Sequence, residues 1–353
     1  MQVPLVLVGD HIKTNSLNGE ERTDDCAPRR DYAEIAQRLR GKLSGYDLSD
    51  AAWYHWTRQV EKRIKLDLVE AVFAASRCSK HNAVLSTSEK IAVPLAAALF
   101  ITKQRIPHVV VAHKLSSGLK TRLFRVWQIY EAFSHVLCVC QAQADYATNL
   151  LGVPKSRVDF VYDKVDHRFF RPLDVGTEDY VLAVGREQRD YTTLLRAISG
   201  TGLKLVVVAS SPWSTSQIQM DEIRDVTVLS HIPYCELRDL YARARLVVVP
   251  LFDVDYAAGV NTVLEAMAMA RPLIVSHTRG IADYVVHDET GLYVSPGDAE
   301  ELRDAVLSVW ERPSELDRLG TNAREAVEER MNLDIYVQEV VRIVRDCLRA
   351  SGA

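Results

Sequence analysis

"RLVVVPLFDVDYAAGVNTVLEAMAMARPLIVS" (residues 245–276) contains a strand, a loop, a helix and a second strand in succession. "RLVVVP" is apolar and β-branched on both alternating faces, which is how a strand buried on both sides reads. "TVLEAMAMA" spaces its apolar residues as a helix does, with Glu265 among them, and Pro272 restarts the chain as "PLIVS". Strand, helix and strand in that order predict a βαβ unit and a parallel sheet. The loop "LFDVDYAAG" ends on Gly259, and the helix is expected to start near Asn261 or Thr262. A helix start leaves backbone N–H groups free and partly positive, so it suits an anion or a sugar hydroxyl. Glu265 lies about one turn in, near enough to the start to be favoured as an anion. A carboxylate accepts hydrogen bonds and cannot donate them, so it suits two adjacent hydroxyls such as those of a ribose. On the plainer reading, Gly259 turns the chain and Glu265 decorates a helix.

The same alternation extends on both sides of this stretch. Strands are expected at "YVLAVG" (180–185), "LKLVVVAS" (203–210), "VTVLS" (226–230) and "GLYVS" (291–295), with helices "YTTLLRAIS", "CELRDLYARA" and "AEELRDAVLSVW" between and after them. In "PGDAEEL", Asp298 caps a helix ahead of two first-turn acids. The first half reads as another α/β layer. Its strands are "VPLVLVG", "AVLST", "HVVVAH", "HVLCVC" and "VDFVY", and its helices span about 31–43, 50–76, 89–104, 119–133 and 141–151. "VDHRFFRPLDVGTED" (165–179) reads as the connector, and the chain from about 313 as helix. The expected domains are therefore 1–172, 173–330 and a C-terminal helix at 331–353 that would pack back on the N-terminal domain. Two such domains would face a central cleft at the carboxyl ends of their strands, where open α/β sheets bind ligands.

Composition bounds the function. At 353 residues the chain exceeds what one core usually serves, and 48% hydrophobic with 25% charged residues describes a soluble globular protein. The longest apolar run, "IAVPLAAALF", is too short to span a bilayer and contains Pro94. No leader-like segment opens the chain, and six cysteines without a CxxC pair fit free thiols in a cytoplasmic location. The net charge of −4 divides unevenly: residues 1–175 hold 25 basic against 19 acidic residues, and the remainder holds 18 against 28. The basic half suits an anionic ligand or a membrane surface, or is a solvated surface. Its basic residues are dispersed and form no nucleic-acid module.

Several motifs in order resemble the retaining glycosyltransferases of family 4, which have the GT-B fold of two Rossmann-like doubly wound parallel-sheet domains. "YVLAVGR" (180–186) is similar to the family's first C-domain strand ending in Gly-Arg, and "SHIPYCELRDLYARARLVVVP" (230–250) to its base-binding loop, helix and strand. "GVNTVLEAMAMARPLIVS" resembles the segment holding its second essential Glu, and "RGIADYVVHDETGLYVSPGDAEEL" (279–302) its closing pattern. "HVLCVCQAQADYATNLLGVPKSRVDFVYDKVDHRFFRP" resembles its last N-domain strand, helix and hinge. The resemblance covers about residues 106–312.

The resemblance implies sugar transfer from a nucleotide-diphosphate donor, UDP- or GDP-linked, to a small-molecule or glycan acceptor, with no metal ion and no cofactor. Carried over residue by residue, Glu265 would hold the ribose hydroxyls, while Gly259, Val260, Asn261 and Thr262 would meet the sugar and β-phosphate. Arg186 would neutralise the diphosphate. The segment Ser230, His231, Ile232 and Pro233 would hold the base, and His113 at the end of a central strand would face the transferred sugar. Two departures stand out. Ala257 occupies the position of the family's first motif Glu, and Tyr191 that of its usual Lys; Arg189, two positions away, is an alternative cation. These departures keep open a silent nucleotide-sugar-binding protein, besides an epimerase or hydrolase on the same fold.

Other features carry a functional and a plain reading side by side. "DVD" (253–255) matches a metal-binding pattern but reads as loop acids. Gly9, opening the loop to Arg22, would let that loop approach a diphosphate or simply turn at the surface. Arg29 and Arg30 would read an acidic acceptor or start a solvated helix. The 119–133 stripe of Leu119, Leu123, Trp127 and Tyr130 beside Lys120, Arg122 and Arg125 would dock on a membrane or face its own core. His81, His135 and His277 have no ligand partners at metal spacing.

Overall fold

Six parallel strands form a sheet in each half of the chain. A computed structural model describes residues 2–9, 26–45, 61, 66–116, 121, 129–209 and 225–352. The chain divides into a first unit of Met1–Arg22, Arg29–Val161 and Tyr336–Ala353, and a second of Thr23–Pro28 and Tyr162–Ile335. The connector at 165–179 thus lies within the second unit.

In the first unit the strands are β1 (Val3–Leu7), β2 (Lys42–Ser44), β3 (His81–Ser86), β4 (His108–Ala112), β5 (His135–Cys138) and β6 (Val158–Phe160), in the order β2-β1-β3-β4-β5-β6. Helices α1 (Asp31–Leu39), α2 (Leu68–Arg77), α3 (Glu89–Ile101) and α4 (Gln141–Asn149) connect them. Strand order reverses beside β1, the mark of a doubly wound sheet. Leu5, Leu7 and Val84 pack with Ala71 and Ala74 of α2 and with Ile91 and Leu95 of α3. Val110, Val136 and Cys138 pack with Ala144 and Ala147 of α4. α3 contains the apolar run noted above; Ile91 to Ala96 are fully buried, Pro94 included. No helix among the described residues is long and apolar enough to cross a membrane.

One strand departs from expectation. The helix expected over 31–43 stops at Leu39, and residues 42–44 form β2 at the sheet edge. Arg40 caps α1 in the left-handed region at φ 51°, which breaks the helix and turns the chain back beside β1. Of the helix expected over 50–76, residues 68–77 are helical, while 50–60 and 62–65 lie outside the described residues.

The second unit holds β7 (Glu178–Val184), β8 (Lys204–Val208), β9 (Val226–Leu229), β10 (Ala244–Val249), β11 (Leu273–Ser276) and β12 (Leu292–Val294), ordered β12-β11-β10-β7-β8-β9. Its helices are α5 (Tyr191–Ile198), α6 (Tyr234–Arg243), α7 (Val260–Ala268), α8 (Ala299–Trp310) and α9 (Pro313–Arg330). Val181, Ala183, Leu205, Val207, Leu246, Val248 and Ile274 alternate along their strands and meet Leu194, Leu302, Val306 and Leu319 of the helices on one face. A last helix, α10 (Leu333–Ala350), enters the first unit from Tyr336 onward, and there Arg345 donates to the Arg38 carbonyl at 2.8 Å.

Candidate active site in the second unit

The strands of the second sheet are parallel, so the loops after β7, β9 and β10 emerge at one edge. The loop after β10 runs into α7 through Gly259, the N-cap, in the left-handed region at φ 86°. That conformation costs an L-residue about 1–2 kcal/mol and a glycine little. The helix begins at Val260, one residue before the expected start, with Gly259 as its cap and no side chain capping it. The amides of Asn261 and Thr262 lie in the first turn, where no earlier turn supplies acceptors. Asn261 is exposed, whereas Val260 and Thr262 are buried.

Glu265 is half-buried and is tied to a buried tyrosine. The Tyr241 hydroxyl, from α6, donates to its Oε2 at 2.9 Å, and Tyr241 is fully buried. Burial lifts the Glu265 carboxyl to about 7, against the opposing pulls of the Tyr241 hydrogen bond and the Arg189 charge. Desolvation thus works against the ionised form that a helix start is expected to favour.

Arg189 turns inward. Its Nε donates to the Val184 carbonyl at 2.9 Å, Nη1 to the Glu187 carbonyl at 2.9 Å and Nη2 to the Thr262 hydroxyl at 2.8 Å. Of the five guanidinium N–H groups, two have no partner among the described residues. Gly185, at φ 113°, makes room: a Cβ there would overlap the guanidinium, and one on Gly259 would sit 3.1 Å from Nη1. The guanidinium therefore lies against both glycines. Tyr191, in place of the usual Lys, donates its hydroxyl to the Gly185 carbonyl at 2.5 Å, and burial pushes it up to about 12. It brings no charge.

Arg186 is exposed and has no hydrogen-bond or ion-pair partner among the described residues, so its charge is available. Ser230 and His231, the latter at φ 58°, are exposed after β9, while Ile232 is half-buried and Pro233 caps α6. Ala257 is buried in the loop before Gly259. Beside it the Tyr256 hydroxyl donates to Glu187 Oε1 at 2.9 Å.

The remaining candidates belong to the first unit. His113 follows β4 with its side chain 39% exposed; its backbone N–H donates to buried Glu89 Oε2 at 3.1 Å, and its Nδ1 lies 3.9 Å from the same oxygen. Gly9 is exposed just after β1, and the loop that follows it lies outside the described residues. Arg30 is the exposed N-cap residue of α1 and Arg29 is half-buried before it. Of the 119–133 stripe, Leu119, Leu123 and Trp127 lie outside the described residues. Asp253 is exposed and Asp255 half-buried, and among the described residues no three His, Cys, Asp or Glu groups cluster to hold a metal ion. His81 bonds the Val3 carbonyl, His135 pairs with Asp159, and His277 packs on Tyr293. All six cysteines are free thiols.

Sequence reasoning passed over Tyr241, Glu187, Tyr256 and Glu89. Each acts through a partner far along the chain, and none falls in a spacing pattern that announces it.

Residues 178–312 match the family described as Glycosyl transferases group 1. The chain is 28% identical over 185 residues to the D-rhamnosyltransferase WbpZ of Pseudomonas aeruginosa, covering 50% of this chain and 46% of that protein. It is 26% identical over 195 residues to the O-antigen chain mannosyltransferase RfbU of Salmonella typhimurium, covering 53% and 54%. The matched stretch thus spans about half the length of these relatives. Anabaena HepE, solved in complex with UDP and glucose, superposes with a TM-score of 0.71 at 15% identity over 98% of this chain and 100% of HepE. That likeness shows the fold: two parallel-sheet α/β domains of the GT-B kind.

Proposed function

We propose that the chain is a retaining glycosyltransferase that moves a sugar from a nucleoside-diphosphate donor to a glycan or small-molecule acceptor without a metal ion or other cofactor. The observation that carries this reading is the uncapped start of α7 at Gly259, with the Arg189 guanidinium against it and the Tyr241-bonded Glu265 inside the same helix. In the proposal, the amides of Asn261 and Thr262, the two spare N–H groups of Arg189 and the exposed charge of Arg186 receive the diphosphate, and Glu265 receives ribose hydroxyls. The loop from Ser230 to Pro233 takes the base. As the bond from the sugar C1 to the β-phosphate oxygen breaks, negative charge grows on that phosphate. Donors already fixed toward it stabilise the transition state without reorganising. The acceptor oxygen bonds C1 on the face the phosphate leaves, and its proton passes to a phosphate oxygen, so the anomeric configuration is retained. His113 is the candidate from the first unit for contact with the transferred sugar. The names of the relatives, a rhamnosyltransferase and a mannosyltransferase, and the UDP and glucose held by HepE support the donor class.

Isothermal titration with UDP, GDP and ADP, followed by assays of donor hydrolysis and transfer, tests the proposal. Glu265→Ala is expected to weaken binding of the preferred nucleotide by roughly 1–3 kcal/mol, the cost of a buried hydrogen-bonded group lost. Unchanged affinity removes Glu265 from this role. Nucleotide binding with no turnover of any donor sugar favours a silent binding protein, the reading that Ala257 and the neutral Tyr191 support.

A further inference from the structure

Ala257 leaves its own position in the loop before α7 without a carboxylate, yet a carboxylate from outside the loop reaches the residue beside it. Glu187 lies on the turn after β7, and its Oε1 accepts the hydroxyl of Tyr256, the residue immediately before Ala257, at 2.9 Å. The turn is held in place. Phe252 N–H donates to the Gln188 carbonyl at 3.1 Å, Asp190 N–H donates to the Pro250 carbonyl at 3.0 Å, and Arg189 bridges to Leu251. Gln188, the next residue, sits in the left-handed region at φ 55°. The Arg189 guanidinium is the link to the helix start: its Nη1 donates to the Glu187 carbonyl and lies against Gly259. Glu187 is exposed, and its second carboxylate oxygen has no partner among the described residues.

We propose that Glu187, oriented by Tyr256, is the sugar-selecting carboxylate of this chain, accepting hydroxyl hydrogen bonds from the donor's hexose in the place Ala257 leaves empty of charge. The inference rests on the donor site described under Proposed function. Its chemistry is that of a carboxylate, an acceptor with lone pairs to spare after one hydrogen bond from a phenol. Oε1 is occupied and fixes the group, which lowers the ordering cost of the contact made by Oε2. Arg186, the adjacent residue, presents its charge from the same turn. One short segment therefore offers a cation suited to a diphosphate and an anion suited to a sugar.

The experiment compares the affinity of the nucleoside diphosphate with that of its sugar conjugate, using UDP with UDP-glucose and GDP with GDP-mannose, on wild type, Glu187→Gln and Tyr256→Phe. Glu187 is exposed, so its replacement disturbs no core. In Glu187→Gln the diphosphate alone is expected to bind within about twofold of wild type, while the sugar conjugate weakens by about tenfold, a hydrogen bond to a charged group lost. Tyr256→Phe is expected to weaken the conjugate by a smaller factor, because the carboxylate remains but is no longer held. If both variants leave the ratio of conjugate to diphosphate affinity unchanged, the assignment of Glu187 is overturned and the donor site stands. If wild type binds neither diphosphate, the donor site falls and this assignment with it.

Discussion

Each unit of the molecule holds a carboxylate close to where a strand of its sheet ends, buried Glu89 in the first and half-buried Glu265 in the second, and the two are used differently. Glu89, on the first residue of α3, spends a carboxylate oxygen on the backbone N–H of His113 and leaves the imidazole partly exposed, its Nδ1 3.9 Å away. Glu265, on the sixth residue of α7, holds a phenol side chain and stands beside a guanidinium that is itself bonded to two carbonyls and a hydroxyl. The first arrangement fixes a strand end and frees a ring. The second fixes side chains against one another and leaves a helix start and an exposed Arg186 at its edge. Preorganised donors of the second kind suit a leaving diphosphate, and a lone half-exposed imidazole suits contact with a group that changes during the reaction.

The largest expected effect breaks the comparison on the first side. His113→Ala removes the ring but keeps the backbone N–H that Glu89 accepts, so the strand end stays in place. Turnover of the preferred donor is expected to fall by roughly 10²–10³-fold, the range for losing one polar group that stabilises charge at a reacting centre. Nucleotide affinity should stay within about twofold by titration, since the ring contributes little to nucleotide binding in this proposal. Equal losses in binding and turnover would place His113 with the nucleotide instead.

Next in size is a pH effect peculiar to the second side. Glu265 is lifted to about 7 in the folded protein, from the ordinary value of 4.5. Between these two values the unfolded chain has released a proton that the folded chain retains, so folding stability falls as pH rises through that window. The contribution is up to about 3 kcal/mol and levels off above pH 7. Nucleotide affinity should run the opposite way, rising with pH as the carboxyl ionises and becomes an acceptor for ribose hydroxyls. Urea unfolding and titration calorimetry across pH 5–8 (roughly the span in which the group changes charge) measure the two slopes. Glu265→Gln should flatten both. Parallel slopes, or slopes that survive the substitution, would show that another group titrates.

Much of this fold could be read in advance, for a physical reason. In the second sheet β7, β10 and β11 are buried along most of their length and read as continuous apolar runs, β8 and β9 are only partly buried yet rich in valine, and all six strands were legible between polar helices. β2 was not, because a three-residue edge strand with an exposed Lys42 and a half-buried Leu43 carries no periodicity to detect. The Gly259–Glu265 segment was legible as a loop, a helix and an acid. The upward shift of that acid was not, because it comes from desolvation in the folded chain, which outweighs the opposing hydrogen bond from Tyr241 on another helix. Likewise Arg189 reads as a nearby cation, while its inward course is set by the room above Gly185 and by carbonyls that only the folded turn brings into reach.

The smallest predicted effect sharpens the second side. Gly259→Ala adds one methyl group at φ 86°, and that Cβ would lie 3.0 Å from Leu251 Cδ2 and 3.1 Å from Arg189 Nη1. The left-handed conformation alone costs an alanine about 1–2 kcal/mol, which should appear as a lower urea midpoint at unchanged slope. Both tight neighbours are ends of side chains, and the guanidinium can give way only by weakening its bonds to Glu187 and Thr262. The substitution therefore acts on the donor site as well as on the backbone. Nucleotide affinity should fall along with stability. Arg189→Lys, whose single ammonium cannot reach three acceptors at once, should abolish most of the affinity difference that Gly259→Ala makes in the wild-type background. Additive losses in the double variant would mean that the glycine serves only the chain's turn, and that the guanidinium and the helix start are neighbours without being coupled.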